Sequence, residues 1–332
     1  MERPVHHPET PAPRIGVLLV NLGSPDAPEP GAVRRYLREF LSDRRVVEIP
    51  HFIWQIILNL FVLTTRPRKS AHAYQQVWTA EGAPLVAITR RQAEALAARL
   101  GGIVMVDWAM RYGAPSIADR LETLKAAGCD RILIAPLYPQ YSGATTATVM
   151  DAVGRALAAM RWQPAIRTLP PYHDDPLHIN ALAADAKAHL AALDFTPDAL
   201  LASFHSMPER TLSLGDPYHC QCQKTARLLS DALGQPLTIS FQSRLGRAKW
   251  LEPSTEATLA TLAQKGVRKL AVLTPGFSAD NLETLEEIAI RGRETFLEAG
   301  GTHFAALPCL NDGAPGMAMI EALVRRELAG WV

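Results

Sequence analysis

The sequence predicts an α/β protein of two similar halves, each a parallel sheet flanked by helices, facing one another across a cleft. Three observations carry this. Apolar runs of strand length alternate with amphipathic or Ala-rich helical stretches from end to end, as in sheets joined by helical crossovers. Several of the runs are unbroken rather than alternating, as strands buried on both faces are. The chain also echoes itself: MRYGAPSIADRLETLKAAGCDRILIAPLYPQYS at 110–142 resembles QSRLGRAKWLEPSTEATLATLAQKGVRKLAVLTPGFS at 242–278. In both, a strand end bears an Arg, then come a helix opening after Pro, a Gly turn, a strand, a Pro, and an aromatic with Ser.

The elements follow in order. A strand over 15–20 is apolar throughout and ends on the Gly/Pro turn Asn21-Leu22-Gly23-Ser24-Pro25. Residues 32–41 form a helix with Val33, Tyr36, Leu37 and Phe40 on one face. Residues 52–63, FIWQIILNLFVL, are nearly continuous apolar sequence, too short for the roughly 20 residues of a spanning helix. They read either as a buried helix or as a lip that meets lipid or a greasy ligand, since Arg66, Arg68 and Lys69 follow at once. The residues of 85–100 are strong helix formers. A strand over 103–110, a helix over 116–127 capped by Ser116, a strand over 132–136 and a helix over 146–160 complete the first half. The second half runs as strand 166–169, helix 176–193, strand 199–205, helix 222–233, strand 237–241, helix 254–265, strand 270–273, helix 281–299, strand 304–307 and helix 317–328. Domain bounds are expected at 1–13 for a mobile tail, 14–165 for the first half with its lip at 46–66, 166–310 for the second half, and 311–332 for the C-terminal helix.

Composition narrows the classes. A formal charge of +1 gives no electrostatic footing for nucleic acid. Four cysteines in 332 residues do not make a disulfide framework and suit a reducing compartment. The first 14 residues carry acids, histidines and prolines and no apolar run, so they do not read as a secretory signal.

The chemistry gathers at strand ends. His205 closes a strand and precedes a loop broken by Pro208, Gly215 and Pro217, the edge where open α/β sheets bind ligands. Glu283 follows the strand at 270–273. Asp280 with Glu283 three residues on also fits a capping box, which by itself would explain both acids. Glu287, one turn further, shares the face of Glu283, and two carboxylates in a desolvated cleft raise at least one pKa. Histidine with carboxylate suits Fe, Zn or Co without choosing among them. Tyr112, Tyr138, Tyr141, Trp250 and Phe277 lie at strand ends or in their loops. Any one of them fits core packing; together they suit a flat apolar ligand, with Arg111 and Arg244 available for its carboxylates. His219, Cys220 and Cys222 are a weak metal signal because their spacing is too short.

With VNLGSPDAP, MRYG, PLYPQYSGATTA, SFHSMPERTLSLGDPYHCQC, FQSRLGRAKWLEPST and PGFSADNLETLEEIA in view, the chain resembles the ferrochelatases from about Arg14 to the C-terminal helix. These enzymes insert ferrous iron into a porphyrin to make haem. The resemblance implies two Rossmann-like halves around a porphyrin cleft, a chelatase-like fold. It implies that His205 and Glu283 are metal-associated, that Glu287 is the next carboxylate of the same helix, and that Arg111, Tyr112 and Tyr138 face porphyrin; Trp250, from the aromatic set above, is expected at the rim of the same cleft. The wording is most like proteobacterial members, which implies protoporphyrin IX and Fe2+ as substrates. It further implies a cytoplasmic protein whose segment 52–63 is the doorway and a peripheral membrane contact. Gly143 follows Ser142 and no cysteine follows Cys309, unlike members that carry an iron–sulfur cluster, so no cofactor is expected beyond the substrate iron. Asn281 stands where some members have His. Other readings from the residues are a non-catalytic porphyrin or haem carrier, a chelatase for coproporphyrin or for a cobalt-corrin pathway, and a two-lobed substrate-binding protein.

Overall fold

The structure, a computed structural model, describes residues 11–244 and 248–332. Residues 1–10 of the expected tail lie outside the described residues, as do 245–247 of the FQSRLGRAKW motif. The first sheet holds β1 (Arg14–Asn21), β2 (Met105–Met110), β3 (Cys129–Pro136) and β4 (Ala165–Thr168), in the order β2-β1-β3-β4. The second holds β5 (Ala199–His205), β6 (Leu237–Gln242), β7 (Lys269–Leu273) and β8 (His303–Ala306), in the order β6-β5-β7-β8. All pairings are parallel. Each strand therefore occupies the same place in its own half, and the sequence echo is an echo of topology. One boundary moves. The strand expected to open the second half, β4, pairs with β3 through Arg131–Ala165 to Ile134–Thr168 and belongs to the first sheet. A helical crossover returns it beside the strand it left, the ordinary outcome for a βαβ unit.

Helices cover both sheets. In order they are α1 (Pro30–Ser42), α2 (His51–Ile57), α3 (Leu63–Val77), α4 (Pro84–Leu100), α5 (Ile117–Ala126), α6 (Thr148–Ala159), α7 (Pro176–Ala191), α8 (Glu209–Ser213), α9 (Tyr218–Leu233), α10 (Thr255–Gln264), α11 (Arg293–Glu298) and α12 (Ala314–Leu328). Ser116 caps α5 as expected, accepting from the Asp119 N–H at 3.1 Å. Helix α8 corrects the expectation that the loop after His205 holds no regular element: one short turn fits between Pro208 and Gly215.

Three stretches are π-helical: Leu58–Val62 between α2 and α3, Gly143–Ala147 before α6, and Glu283–Gly292 before α11. They are absent from the sequence reading because a one-residue widening of a turn leaves the apolar stripe almost unchanged. The first precedes Pro67, which lies inside α3 and has no N–H to give. Thr64 and Thr65 hydroxyls donate to the Phe61 carbonyl there at 2.8 and 3.0 Å.

The largest core joins the halves rather than filling either. Val17, Leu19, Leu96 and Leu133 of the first half pack in one cluster with Leu200, Leu229, Ala271 and Leu273 of the second, and α7 and α12 supply Ala183, Ala186, Ile320 and Leu323. A shared core ties the two halves into one body instead of leaving a hinge between independent domains.

Candidate active site

In each sheet the chain leaves the first strand toward one neighbour and later returns on its other side. In the second sheet this divergence falls between β5 and β7, so their carboxyl ends open a crevice. His205 ends β5 and Glu283 opens the π-helical segment that follows β7. The two are near enough to interact electrostatically.

His205 is half-buried, and its Nδ1 lies 2.6 Å from the Ser206 carbonyl oxygen. A carbonyl only accepts, so in the neutral ring Nδ1 carries the proton and Nε2 keeps its lone pair. The ring is thus held as an acceptor, for a proton or a metal. Tyr218, buried at the head of α9, hydrogen-bonds the His205 backbone.

Glu283 is free of the structural duty that its spacing suggested. The cap is made by Asn281, whose Oδ1 accepts from the N–H groups of Glu283 (2.9 Å) and Thr284 (3.1 Å). The Thr284 hydroxyl accepts in return from the Asn281 N–H at 3.0 Å. This is a capping box one residue later than expected. Asp280 is engaged elsewhere: its carboxylate accepts from Thr284 Oγ1 at 2.9 Å, Asn311 Nδ2 at 2.7 Å and the Cys309 N–H at 3.2 Å. The Glu283 carboxyl is pushed above the usual carboxylate range, chiefly by burial, with His205 pulling it back and Glu287 and Glu286 pushing it further up. Glu287 is held by Ser243, whose N–H donates to Oε1 at 2.8 Å and whose hydroxyl donates to Oε2. Ser243 adopts φ +67° to present both groups, a left-handed backbone that a serine rarely takes.

The first half answers with aromatics. Gly23 at φ +108° lets the loop after β1 lie against the Tyr112 backbone; a Cβ there would meet the Tyr112 carbonyl oxygen at 1.8 Å. Arg111 and Tyr112 both turn to Asp43 at the end of α1. The Arg111 guanidinium pairs with its carboxylate and donates from Nε to the Thr148 carbonyl at 2.8 Å. The Tyr112 hydroxyl donates to the same carboxylate at 3.0 Å. The Arg111 side chain is 8% exposed, so the arginine that the sequence offered for a ligand carboxylate is buried and already paired. Arg244 is likewise paired, with Glu252 at 3.2 Å. Tyr36 and Tyr74 lie close enough to Glu283 for its charge to raise both hydroxyl pKa values, burial being the larger cause in each. The buried Tyr138 hydroxyl has no hydrogen-bond partner among the described residues. Leu282, just before Glu283, packs against the cluster that holds Tyr36, Tyr74 and Tyr112. Trp250 is half-buried on the loop after β6 and pairs with Pro208 in an antiparallel bridge.

Of the expected site residues, His205, Glu283 and Glu287 gather on the second half, and Arg111, Tyr112 and Tyr138 on the first. Asp43, Tyr36, Tyr74, Gln242 and Ser243 were not foreseen. Tyr36 was read only as an apolar face of its helix, and nothing near Asp43 in sequence links it to Arg111. Among the described residues no group of three His, Cys, Asp or Glu side chains could hold a metal, so the foreseen metal set rests on His205 and Glu283 alone.

The segment expected as a buried helix or a lip has two faces. Trp54, Leu58 and Leu63 face inward, while Phe52 (77% exposed), Leu60 (63%) and Phe61 (64%) face out. No described helix is long and apolar enough to cross a membrane.

Comparison with known proteins bears on this geometry. The family model named Ferrochelatase matches residues 14–328. A ferrochelatase of Rhizobium meliloti (strain 1021) is 54% identical over 339 residues, covering all of both chains. One of Methylocella silvestris is 53% identical over 331 residues, covering 96% of this chain and 95% of the other. Among solved structures, SirB from Bacillus subtilis with Fe3+ superposes with a TM-score of 0.58 at 13% identity, covering 96% of this chain and 97% of that one. DR2241 from Deinococcus radiodurans superposes with a TM-score of 0.52 at 14% identity, covering 93% of this chain and 54% of that one. At these identities the structural likeness speaks to fold alone, that of two chelatase-like halves.

Proposed function

The chain belongs to the ferrochelatase family and inserts iron into porphyrin in haem synthesis, and within that activity we propose that His205 and Glu283 are the groups between which the metal and the pyrrole protons are exchanged. One observation carries the reading: an imidazole locked with its Nε2 lone pair free lies within electrostatic reach of a carboxylate that its own helix cap does not use. Insertion requires two pyrrole nitrogens to lose their protons and turn their lone pairs toward the ion. A neutral histidine accepts a proton at Nε2. Burial favours the neutral form of the Glu283 carboxyl over its charged form, so Glu283 can take a proton onward. Glu287, gripped through both oxygens by Ser243, is the next carboxylate of the relay. Arg111 and Tyr112, buried and fixed by Asp43, back the face that receives the macrocycle, beside Tyr138 and Trp250.

In this reading the porphyrin is protoporphyrin IX. Arg111 and Arg244 are already paired with acids, which suits a substrate with few carboxylates, and an apolar rim stands beside the cleft. The exposed phenylalanines of the lip with Arg66, Arg68 and Lys69 behind them suit a cytoplasmic protein resting on an anionic membrane surface. A reading without an iron–sulfur cluster is supported by the dispersal of the cysteines: Cys129 beside Met105, Cys222 beneath Tyr218, Cys309 beside Thr274, and Cys220 exposed. The test is metallation of protoporphyrin IX and coproporphyrin by Fe2+, followed by absorbance. His205→Ala should abolish insertion and Glu283→Gln should slow it, with porphyrin affinity kept in both. Turnover retained by His205→Ala refutes the assignment.

A further inference from the structure

Behind the site lie four polar side chains that the chemistry above does not use. Ser203 of β5, Ser240 and Gln242 of β6 and Thr255 of α10 are all at most 3% exposed, with Phe204, Phe241 and Leu259 as buried neighbours in sequence. Burying four such groups is costly unless each finds a partner. They partner one another. Ser203 Oγ lies 2.6 Å from Gln242 Oε1 and 2.7 Å from Thr255 Oγ1, and Thr255 Oγ1 lies 2.9 Å from Ser240 Oγ. The chain ends where Gln242 Nε2 donates to the Glu283 carbonyl oxygen at 3.0 Å.

Donor arithmetic gives this chain one direction. The Glu283 carbonyl can only accept, so the amide nitrogen of Gln242 must face it and the amide oxygen must face Ser203. The amide oxygen also only accepts, so the single hydroxyl proton of Ser203 is committed to it. Thr255 must then donate to Ser203, and Ser240 to Thr255. Every proton is assigned, and reversing any one leaves two donors or two acceptors face to face. The chain therefore has one low-energy arrangement, and its outer end fixes the backbone of the residue that opens the π-helical segment.

We infer that Ser240, Thr255, Ser203 and Gln242 form a one-way hydrogen-bond relay of positioning residues that sets where the Glu283 carboxylate stands for iron insertion. The inference rests on the role of Glu283 proposed above. None of the four touches the reacting atoms; they act through the main chain of Glu283. His205 is tied into the same frame, because it pairs with Gln242 in the sheet register and the Gln242 carbonyl accepts from the Ser206 N–H at 2.7 Å.

The experiment uses the full chain and iron insertion into protoporphyrin IX. Thr255→Val keeps shape and removes the hydroxyl; Ser240→Ala breaks the far end more gently, should the first variant fold poorly. Thr255→Val should lower kcat about 5–10-fold, the span of one or two weakened hydrogen bonds. Porphyrin affinity should be unchanged by fluorescence quenching, so the loss falls on kcat and not on binding. Thr255→Ser should restore the rate. In a Glu283→Gln background Thr255→Val should slow the reaction no further. The inference is overturned if the rate falls only as Tm falls, with no rescue by serine. It is equally overturned if Thr255→Val is fully active while Glu283→Gln is crippled. If Glu283→Gln itself turns over normally, the role of Glu283 is what fails, and this inference falls with it.

Discussion

Replacing Asn281 by alanine separates the two meanings of the acidic stretch around Glu283. The side chain is buried and makes three contacts: Oδ1 accepts from the N–H groups of Glu283 and Thr284, and Nδ2 donates to the Ala279 carbonyl at 3.1 Å. Alanine removes all three and leaves N–H groups in a place with little water. Loss of a helix cap costs about 1–2 kcal/mol, and burial puts this one at the upper end. For a chain of this length about 2 kcal/mol lowers Tm by roughly 3 °C. The rate should suffer more than the stability. The cap sets the first turn that carries Glu283, and a catalytic group displaced by about 1 Å can lose up to roughly 100-fold. We expect a loss of about 10–100-fold in iron insertion, with porphyrin binding kept. Asn281→Ser, which keeps a capping oxygen, should recover most of both quantities. The assays are scanning fluorimetry and the metallation rate. An unchanged Tm means the cap is not made by Asn281; a lowered Tm with an unchanged rate means the placement of Glu283 does not limit insertion.

Three further outcomes follow from the geometry. Glu283→Gln should stabilise the folded protein at neutral pH: the folded pKa is raised, so stability falls as pH rises from the ordinary glutamate range through the folded pKa, and the cost persists above it. The Tm difference between variant and parent should therefore vanish near pH 4 (, about the ordinary glutamate pKa) and widen on going up; a difference that is flat with pH contradicts the burial argument. Asp43→Ala should cost about 3–5 kcal/mol by leaving a buried guanidinium unpaired, and Asp43→Asn distinctly less. Urea midpoints at constant m decide this, and a loss below about 1 kcal/mol would show that Arg111 reaches water. Phe52→Asp with Phe61→Asp should weaken sedimentation with anionic vesicles by at least about 100-fold, given about 1.5–3 kcal/mol for each of the two buried phenylalanines; equal binding removes the lip as the contact.

The architecture was legible because its signals are local. An unbroken apolar run such as Ile15–Val20 reads as a strand buried on both faces whatever surrounds it, and the β1 core confirms it. The echo between 110–142 and 242–278 carried the duplicated strand order, since like sequences make like connections. His205 was legible as well, because a polar residue ending an apolar strand before a Pro/Gly loop marks a sheet's carboxyl edge. The spacing of Asp280 and Glu283 misled for an equally local reason. Two caps, Asp280 and Asn281, stand side by side, and the choice between them lay with Asn311, thirty residues on, which takes Asp280 out of the competition.

Read alone, the amino-acid order determined which stretches become strands and helices, that the two halves repeat, and that an imidazole and a row of acids stand at strand ends. Those properties depend on hydrophobic period and residue type over a few neighbours. Only the tertiary structure decided which acids are spent on holding the fold. Asp43 is committed to Arg111 and Tyr112, and Asp280 to Asn311 and Thr284, while the Glu283 carboxylate is left out of its own helix cap. It also assigned the His205 proton to Nδ1 and bound the Glu283 carbonyl to β6. The reason is that a hydrogen bond pairs specific atoms across any length of chain, and an acid's availability for chemistry depends on what its partners have already claimed.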